Sequence, residues 1–252
     1  MKLLFLGTGT STGVPQIGCR CAACTSADRR DKRLRTSALV TLDSGKNILI
    51  DCGPDFRSQI IAAGAPPLEG LLITHSHYDH VGGIDDLRPY CLGGRHFPTY
   101  CQHDVGEDLR SRNPWSFAVK LYPGVPTFAI HDIEAYKPFT IGNAEILPVR
   151  IMHGKLPILG YRIGRLGYVT DCSEMPAETI EALRGVDTLV INALRYEPHP
   201  SHMSLKESLA VIEAIAPRRA YLIHLSHDMG PQATVELPDG VEIAYDGLSI
   251  EV

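Results

Sequence analysis

The sequence predicts an α/β layered fold for one domain of 252 residues. Short apolar runs typical of buried strands, such as residues 70–73 and 220–223, are interspersed with segments of helical spacing. The clearest of these helical segments is 204–215, where leucine and isoleucine recur on one stripe. The strands and helices fall into two similar halves, and such an arrangement is typical of sheets covered by helices.

Glycine, proline and polar clusters set the limits of the predicted elements. Predicted strands cover residues 2–6, 37–42, 47–50, 70–73, 98–101, 141–149, 160–163, 167–170, 188–191 and 220–223, and a closing pair lies within 241–252. Predicted helices lie near residues 60–63, 84–90, 104–110, 177–183 and 204–215. Segment 113–127 is rich in proline, glycine and aromatic residues, and we expect a loop over or beside the functional site.

Charge and hydropathy exclude several classes of protein. A formal net charge of −5 gives no reason to expect non-specific binding to nucleic acid or acidic membranes. No apolar run reaches the roughly 18 residues that indicate a membrane span. The apolar start is too short for a signal peptide and ends in a strand and a turn, so we expect a cytoplasmic location.

Two polar stretches have more than one interpretation. The glycine-rich run 7–13 lacks the lysine of a phosphate-binding loop, so a turn or backbone edge near the active site is favoured over a nucleotide cradle. The basic run 29–35 is most simply a solvated segment, and contact with a substrate phosphate is the alternative.

The strand at 70–73 leads into a dense group of metal-ligand residue types: His75, His77, Asp79 and His80. If the chain stays extended past residue 73, alternate side chains share one face. We therefore expect His75, His77 and Asp79 to converge, with His80 adjacent. Imidazole and carboxylate ligands suit divalent cations such as zinc or manganese.

Four later residues stand where strands end or just before a helix: His153, Asp171, His202 and His224. Taken singly, each has an ordinary interpretation, such as a helix cap or a hydrogen-bonded polar group. Together with the earlier stretch, they supply two complete coordination spheres.

The seven cysteines do not have the distribution of a disulfide framework. Cys19, Cys21 and Cys24 fall within six residues, whereas the other four are scattered. In a reducing compartment such a cluster indicates metal binding, and the scattered thiols are expected in the core.

The order His-x-His-x-Asp-His, then His, Asp and His, resembles that of the metallo-β-lactamase superfamily. The resemblance implies an αββα sandwich with a dinuclear metal site. It assigns one ion to His75, His77 and His153, the other to Asp79, His80 and His224, and a bridging position to Asp171. The aspartate at 171 favours the branch that cleaves phosphate esters, because true β-lactamases carry a cysteine there.

A narrower resemblance is to the cyclic phosphodiesterases of the carbon–phosphorus lyase pathway. These proteins share an N-terminal zinc knuckle, matched at 19–24 by Cys19, Cys21 and Cys24, and His227 stands where the family completes that structural site. Three thiolates and one imidazole form a closed tetrahedral Zn²⁺ site. His202 matches the family's proposed general acid.

The function implied is hydrolysis of small phosphodiesters, ribose cyclic phosphates such as phosphoribosyl 1,2-cyclic phosphate among them. A hydroxide bridging two Mn²⁺ or Zn²⁺ ions would attack phosphorus, with Asp79 and His202 as catalytic residues and a structural Zn²⁺ as the third ion. The expected partner is a small phosphodiester, without membrane or nucleic acid, and a homodimer is one option for the assembly.

Two alternatives stay open. A tRNA 3′-processing endonuclease of this superfamily needs an RNA-gripping insertion and a basic face, and the sequence indicates neither. A non-hydrolytic protein resembling the pyrroloquinoline-quinone biosynthesis protein B family would share the cysteines. Those proteins depart from the full ligand set, which this chain keeps.

Overall fold

The computed structural model describes residues 1–252 and contains two seven-stranded sheets. The strands are β1 (Lys2–Gly7), β2 (Ser37–Thr41), β3 (Asn47–Ile50), β4 (Gly70–Leu72), β5 (Phe97–Cys101), β6 (Phe128–Asp132), β7 (Phe139–Ile141), β8 (Ala144–His153), β9 (Leu156–Ile163), β10 (Leu166–Tyr168), β11 (Thr188–Asn192), β12 (Arg219–Ile223), β13 (Val241–Ile243) and β14 (Ser249–Glu251). The α-helices are α1 (Ala22–Thr25), α2 (Phe56–Ala62), α3 (Tyr78–Val81), α4 (His103–Arg112), α5 (Ala177–Leu183) and α6 (Leu205–Ile215). Short 3₁₀ segments cover Arg29–Asp31, Ile84–Gly94, Pro114–Ser116, His227–Met229 and Gln232–Thr234.

The two sheets repeat one pairing pattern. The first has the order β14-β1-β2-β3-β4-β5-β6 and the second the order β13-β12-β11-β10-β9-β8-β7. In the first sheet β14, β1, β2 and β3 pair antiparallel, and β3 to β6 pair parallel. In the second sheet β7 to β10 pair antiparallel, and β10 to β13 pair parallel. In open α/β sheets, ligands bind beyond the carboxyl ends of parallel strands, so each sheet offers one such edge.

Three apolar layers hold the sandwich together. The central layer joins residues of both sheets, such as Phe5 and Ile50 from the first and Tyr168 and Ile223 from the second. The second layer packs α5 and α6 on the outer face of the second sheet. The third packs α2 and α4 on the outer face of the first sheet. The predicted α/β layered fold and the αββα order of its layers are therefore confirmed.

Helix α6 shows why the strongest helical prediction holds. Ser204 is its N-cap, and Ser204 and Glu207 form a capping box in which each side chain bonds the other residue's backbone N–H. Leu205, Ile212 and Ile215 are buried on the face turned to the second sheet.

Two predictions of individual elements were wrong, and one strand was missed. The strand expected at 141–149 is two antiparallel strands, because the chain turns between Ile141 and Ala144. Strand β6 was not predicted. The expected closing pair within 241–252 does not exist, because β13 joins the second sheet beside β12 whereas β14 joins the first beside β1.

The basic run 29–35 is not a uniformly solvated segment. Arg33 is buried and donates hydrogen bonds from Nη1 to Thr8 Oγ1 at 2.8 Å and to the carbonyl oxygen of Ala244 at 2.6 Å. Arg35 forms an ion pair with Asp55 at 2.9 Å. These two arginines therefore connect the loop between β1 and β2 to Ala244 and Asp55. As for membranes, none of the helices combines the length and apolar character needed to cross one.

Candidate metal centre

The metal-ligand stretch after β4 divides into two parts. The chain is extended only as far as His77, which is the N-cap of α3. Asp79 and His80 therefore lie in the first turn of a helix. The prediction that His75, His77 and Asp79 converge on one extended face was wrong, since the helix carries Asp79 away with His80.

The first part joins a distant histidine to form what we call the open group: His75, His77 and His153. Their ligand-type atoms lie within 4.8 Å of one another. Ring centres are 4.6 Å apart for His75 and His77, and 5.0 Å apart for His77 and His153. His75 is buried, His153 is half-buried and His77 is exposed, so this group faces solvent on one side.

The second part lies in what we call the buried group: Asp79, His80, Asp171 and His224, all buried and also within 4.8 Å of one another. Nε2 of His80 lies 3.2 Å from a carboxylate oxygen of Asp79 and 3.2 Å from one of Asp171. The other Asp171 oxygen lies 3.2 Å from His224 Nε2. Asp171 also forms a close set with His153 and His202, so its carboxylate lies where the two groups meet.

Hydrogen bonds at Nδ1 set the tautomer of four of the histidines. In His80, His153, His75 and His224, Nδ1 has a partner that accepts its hydrogen. His80 Nδ1 donates to Asp51 Oδ2 at 2.7 Å, and His153 Nδ1 donates to the Asp171 carbonyl oxygen at 2.9 Å. In the neutral ring the proton then sits on Nδ1, and Nε2 keeps the lone pair that a metal ligand needs.

Threonine hydroxyls act in the same way on the other two rings. Thr74 Oγ1 donates to Asp51 Oδ2 and so accepts from His75 Nδ1 at 3.0 Å. Thr36 Oγ1 donates to the Gly9 carbonyl oxygen and accepts from His224 Nδ1 at 3.1 Å.

A divalent cation fits this arrangement. His75 Nε2 and His80 Nε2 are buried and make no hydrogen bond. Burying such a nitrogen without a partner costs about 1–3 kcal/mol. Burial also lowers the pKa of His75, His77 and His224, which favours the neutral, ligating form of each ring. At His80 burial is outweighed by the carboxylates of Asp171, Asp51 and Asp79, which raise the pKa, so a bound cation would have to displace a proton from this ring. Bound ions would remove the penalty at both orphaned nitrogens.

Asp51 is a site residue that the sequence analysis missed. It is fully buried at the end of β3, and it accepts hydrogen bonds from the backbone N–H of Thr74 at 2.8 Å and from His80 Nδ1 at 2.7 Å. Its φ is 59°, and Asp171 and His224 have φ of 58° and 56°. Non-glycine residues in this left-handed region are strained, and such strain concentrates at functional sites. The available signal was a carboxylate placed directly after a buried apolar strand.

The glycine-rich run 7–13 borders the site, as predicted. Thr10 Oγ1 lies 3.2 Å from His224 Nε2, and the backbone N–H of Thr10 donates to the carbonyl oxygen of Leu225. The run is therefore a backbone edge that supports the loop carrying His224.

His202 lies beside both groups and between two of their rings. Its ring centre is 4.7 Å from that of His153 and 4.9 Å from that of His224. Its Nδ1 is buried without a hydrogen bond, 3.8 Å from an oxygen of Asp171. Burial and the neighbouring His224 lower the pKa of His202 to about 3. The free imidazole is therefore neutral at pH 7, and a nearby anion would be needed to raise its pKa.

The cysteine cluster comprises Cys19, Cys21, Cys24 and His227, whose ligand-type atoms lie within 4.8 Å of one another. His227 Nδ1 lies 3.5 Å from Cys19 Sγ and 3.4 Å from Cys21 Sγ. A hydrogen bond from the Cys24 backbone and another from His227 lower the pKa of Cys21 to about 6, whereas burial raises that of Cys24 to about 11. The four scattered cysteines are buried and unpaired, as predicted.

Comparison with known proteins places this geometry in a family. The model of the beta-lactamase superfamily domain matches residues 46–225. An octanoyltransferase from Porphyromonas gingivalis is 44% identical over 251 residues, which are 98% of this chain and 51% of that protein. The chain thus spans about half the length of this relative.

Two solved structures are similar over the whole chain. The crystal structure of a diphosphatase from the PhnP family has a TM-score of 0.92 at 38% identity, covering 100% of this chain and 97% of that one. Zn²⁺-bound PqqB from Methylobacterium extorquens has a TM-score of 0.82 at 21% identity, covering 100% of both chains, and shares the fold. The fold, the two ligand groups and the matched family model lead to one conclusion: the chain belongs to the beta-lactamase superfamily.

Proposed function

We propose that this protein is a metal-dependent phosphodiesterase that hydrolyses small phosphodiesters, ribose cyclic phosphates such as phosphoribosyl 1,2-cyclic phosphate among them. One observation carries the proposal. Two groups of ligand side chains meet at one carboxylate, Asp171, and two buried histidine nitrogens beside it lack partners. The likeness to a PhnP-family diphosphatase supports cleavage at phosphorus.

The open and buried groups would hold two divalent ions, Mn²⁺ or Zn²⁺, and the cysteine cluster would hold a structural Zn²⁺. Bound ions activate water near neutral pH and offset the negative charge of a phosphodiester. Asp79 and Asp171 supply the anionic ligands. Asp51 and Thr36 hold the rings of His80 and His224 in the tautomer that leaves Nε2 free.

His202 would protonate the departing oxygen. Its unpartnered Nδ1 faces Asp171, at the junction of the two groups. Only a protonated imidazole can act as the acid, and a bound phosphate anion raises the pKa of an adjacent imidazole. With a poor leaving group, turnover should fall as the pH rises through the pKa of His202 in the substrate complex.

The substrate class can be tested by a hydrolysis screen with bis(p-nitrophenyl) phosphate, cyclic nucleotides and ribose cyclic phosphates. We expect hydrolysis of at least one diester by protein that carries three metal ions per chain in elemental analysis. One ion per chain after gentle purification, or no hydrolysis by the metal-loaded protein, would contradict the proposal.

The role of His202 can be tested by its dependence on the leaving group. His202→Ala should lower turnover of an alkyl or ribose ester about 10²–10⁴-fold, the usual range for a lost general acid. The loss should nearly vanish with p-nitrophenolate, which departs without protonation, and metal content should stay the same. Equal losses on both substrates would instead assign His202 to phosphate binding.

A further inference from the structure

Asp171 lies just beyond the point where β10 stops pairing with β11. Tyr168, the last residue of β10, lies opposite Val190, and the backbone N–H of Val169 donates to the Val190 carbonyl oxygen at 2.8 Å. Asp171 then has a φ of 58°, and a non-glycine residue keeps such a strained φ only where the surrounding structure enforces it. Contacts outside the strand pairing must therefore hold Asp171 in place.

The side chain of Asn192, the last residue of β11, provides two of these contacts. Its Oδ1 accepts a hydrogen bond from the backbone N–H of Cys172 at 2.7 Å, and its Nδ2 donates to the carbonyl oxygen of the same residue at 2.9 Å. Asn192 is 0% exposed, so water does not compete for these bonds. A primary amide carries one acceptor and one donor group, and here they match both backbone groups of one residue. The two bonds fix the orientation of the chain next to Asp171 as well as its position.

Asn192 is itself fixed by the strand on its other side. In the parallel pairing of β11 with β12 it lies opposite Ile223, and the N–H of Ala193 donates to the Ile223 carbonyl oxygen at 3.0 Å. The residue that follows is His224. Asn192 therefore connects the backbone beside Asp171 to the backbone beside His224, and the facing side-chain atoms of these two residues are 3.2 Å apart.

The contact with Cys172 also reaches the loop that carries His202. The carbonyl oxygen of Cys172 accepts a second hydrogen bond, from the backbone N–H of Met203 at 2.7 Å. Cys172 thus joins Asn192 to the chain beside His202. Asn192 is a member of neither the open group nor the buried group, and it acts through the residues next to their members.

We infer that Asn192 is a positioning residue of the metal centre: its two hydrogen bonds to Cys172 place the Asp171 carboxylate where the open and buried groups meet, so that one carboxylate can serve two ions. The inference rests on the proposed function only in requiring two ions, whatever diester is cleaved. The alternative is that Asn192 only satisfies two buried backbone groups, as buried N–H and C=O groups require. In that case its loss would lower stability and leave metal binding unchanged.

The test replaces Asn192 and a matched asparagine elsewhere in the chain. Asn192→Leu keeps a similar volume and removes both hydrogen bonds, and Asn192→Ala removes them without adding a branched side chain. Asn47→Leu is the control. Asn47 is also buried, accepts from Thr41 Oγ1 at 2.7 Å and donates to the Pro67 carbonyl oxygen at 2.9 Å. It lies at the start of β3, at the opposite end of that strand from Asp51.

The metal centre of each protein is depleted with a chelator and refilled with Mn²⁺. The melting temperature, the affinity for each of two Mn²⁺ ions and the electron paramagnetic resonance spectrum are then measured. Two Mn²⁺ ions that share a carboxylate ligand are magnetically coupled, and their spectrum differs from that of separate ions. None of these measurements needs a substrate.

We expect all three variants to melt at a lower temperature than wild type, because each loses two buried hydrogen bonds. Only the Asn192 variants should change the metal centre. Their affinity for the second Mn²⁺ should fall about 10–100-fold, the usual range for loss of a group that orients a metal ligand. The spectrum of separate ions should replace part of the coupled spectrum, whereas Asn47→Leu should keep the wild-type affinity and spectrum.

Asn192 variants that bind both ions with wild-type affinity and give the wild-type spectrum would overturn the inference, and so would an equal change in Asn47→Leu. If Asn192→Leu does not fold, Asn192→Ala decides by the same measurements. Wild-type protein that binds two Mn²⁺ ions without coupling would also overturn the inference. Wild-type protein that binds only one would instead contradict the proposed function.

Discussion

Two clusters of metal-ligand side chains meet at the loop after β12, and they are built differently. His224 belongs to the buried group and its side chain is 1% exposed, whereas His227 of the cysteine cluster is 20% exposed. Around the metal centre, Asp51 and Thr36 orient the ligand rings. The cysteine cluster instead offers four ligands of its own, three from residues 19–24 and one from the segment after β12. A structural zinc site is typically closed by four protein ligands. A catalytic metal site typically has ligands that are oriented by neighbouring residues, and it leaves access for substrate.

Treatment with a chelator should remove metal from the metal centre but not from the cysteine cluster. This is the largest effect on activity that we expect. Treatment with a chelator should reduce hydrolysis to the uncatalysed level while one zinc per chain and most of the thermal stability remain. The reason is that the open group faces solvent at His77, whereas three thiolates hold zinc strongly. Activity, metal content and melting temperature are measured together, before and after Zn²⁺ or Mn²⁺ is restored. A parallel decline of activity and melting temperature would show that the two clusters are not independent.

Asp51→Asn tests the orienting residues of the metal centre. Loss of the carboxylate that fixes His80 should lower metal affinity or activity about 10–100-fold. The measurements are kcat/KM and the metal concentration needed for half-maximal activity. Asp43→Asn is the control, because Asp43 is exposed and pairs with the N-terminal amine before β1. If the Asp51→Asn protein had wild-type metal affinity and activity, Asp51 would not be a residue that orients the metal ligands.

Thr36→Val should give a smaller loss at His224. The substitution keeps the shape of the side chain but removes two neutral hydrogen bonds, one to the Gly9 carbonyl oxygen and one from His224 Nδ1. The second orients the ring, and its loss costs about 1 kcal/mol and so about fivefold in activity. A loss as large as that of Asp51→Asn would mean that the hydroxyl does more than orient the ring. The measurements are kcat/KM and the metal concentration needed for half-maximal activity, made on Thr36→Val and Asp51→Asn side by side.

Cys21→Ser should affect activity least and stability most. A structural zinc contributes folding free energy, and each kcal/mol lost lowers the melting temperature of a chain of this size by about 2–4 °C. Turnover per folded molecule should change little. Cys91→Ala, a buried thiol outside the cluster, controls for loss of a cysteine. Full thermal stability with abolished turnover would make the cysteine cluster catalytic.

The sequence predicted the residue types of the site better than their arrangement. His75, His153, Asp171 and His224 could be identified because ligand-type residues follow apolar strands. The division between the open and buried groups could not be predicted. It depends on α3 starting at Tyr78, and four residues of helix are too few to give a periodic signal.

Asp51 was missed for a different reason. A carboxylate after a strand has the same local pattern whether it turns the chain or orients a ligand, and only the packing of β3 beside β4 brings it to Thr74 and His80. The predicted pairing of β13 with β14 failed similarly. Two short strands close in sequence favour a hairpin, but the core places them in separate sheets.

The pairing of β14 with β1 has a consequence for how the molecule is made. Lys2 pairs with Glu251, so β1 is synthesised before every other strand of the two sheets, and its outer neighbour β14 is synthesised after all of them. Until β14 has been made, β1 exposes the backbone groups of one edge, and exposed edges are templates for pairing with other chains. The polypeptide must also close a loop that contains all the other strands to cover that edge, which is an entropic cost met only late in folding. A nascent chain stalled before Ser249 would therefore present its oldest strand unprotected.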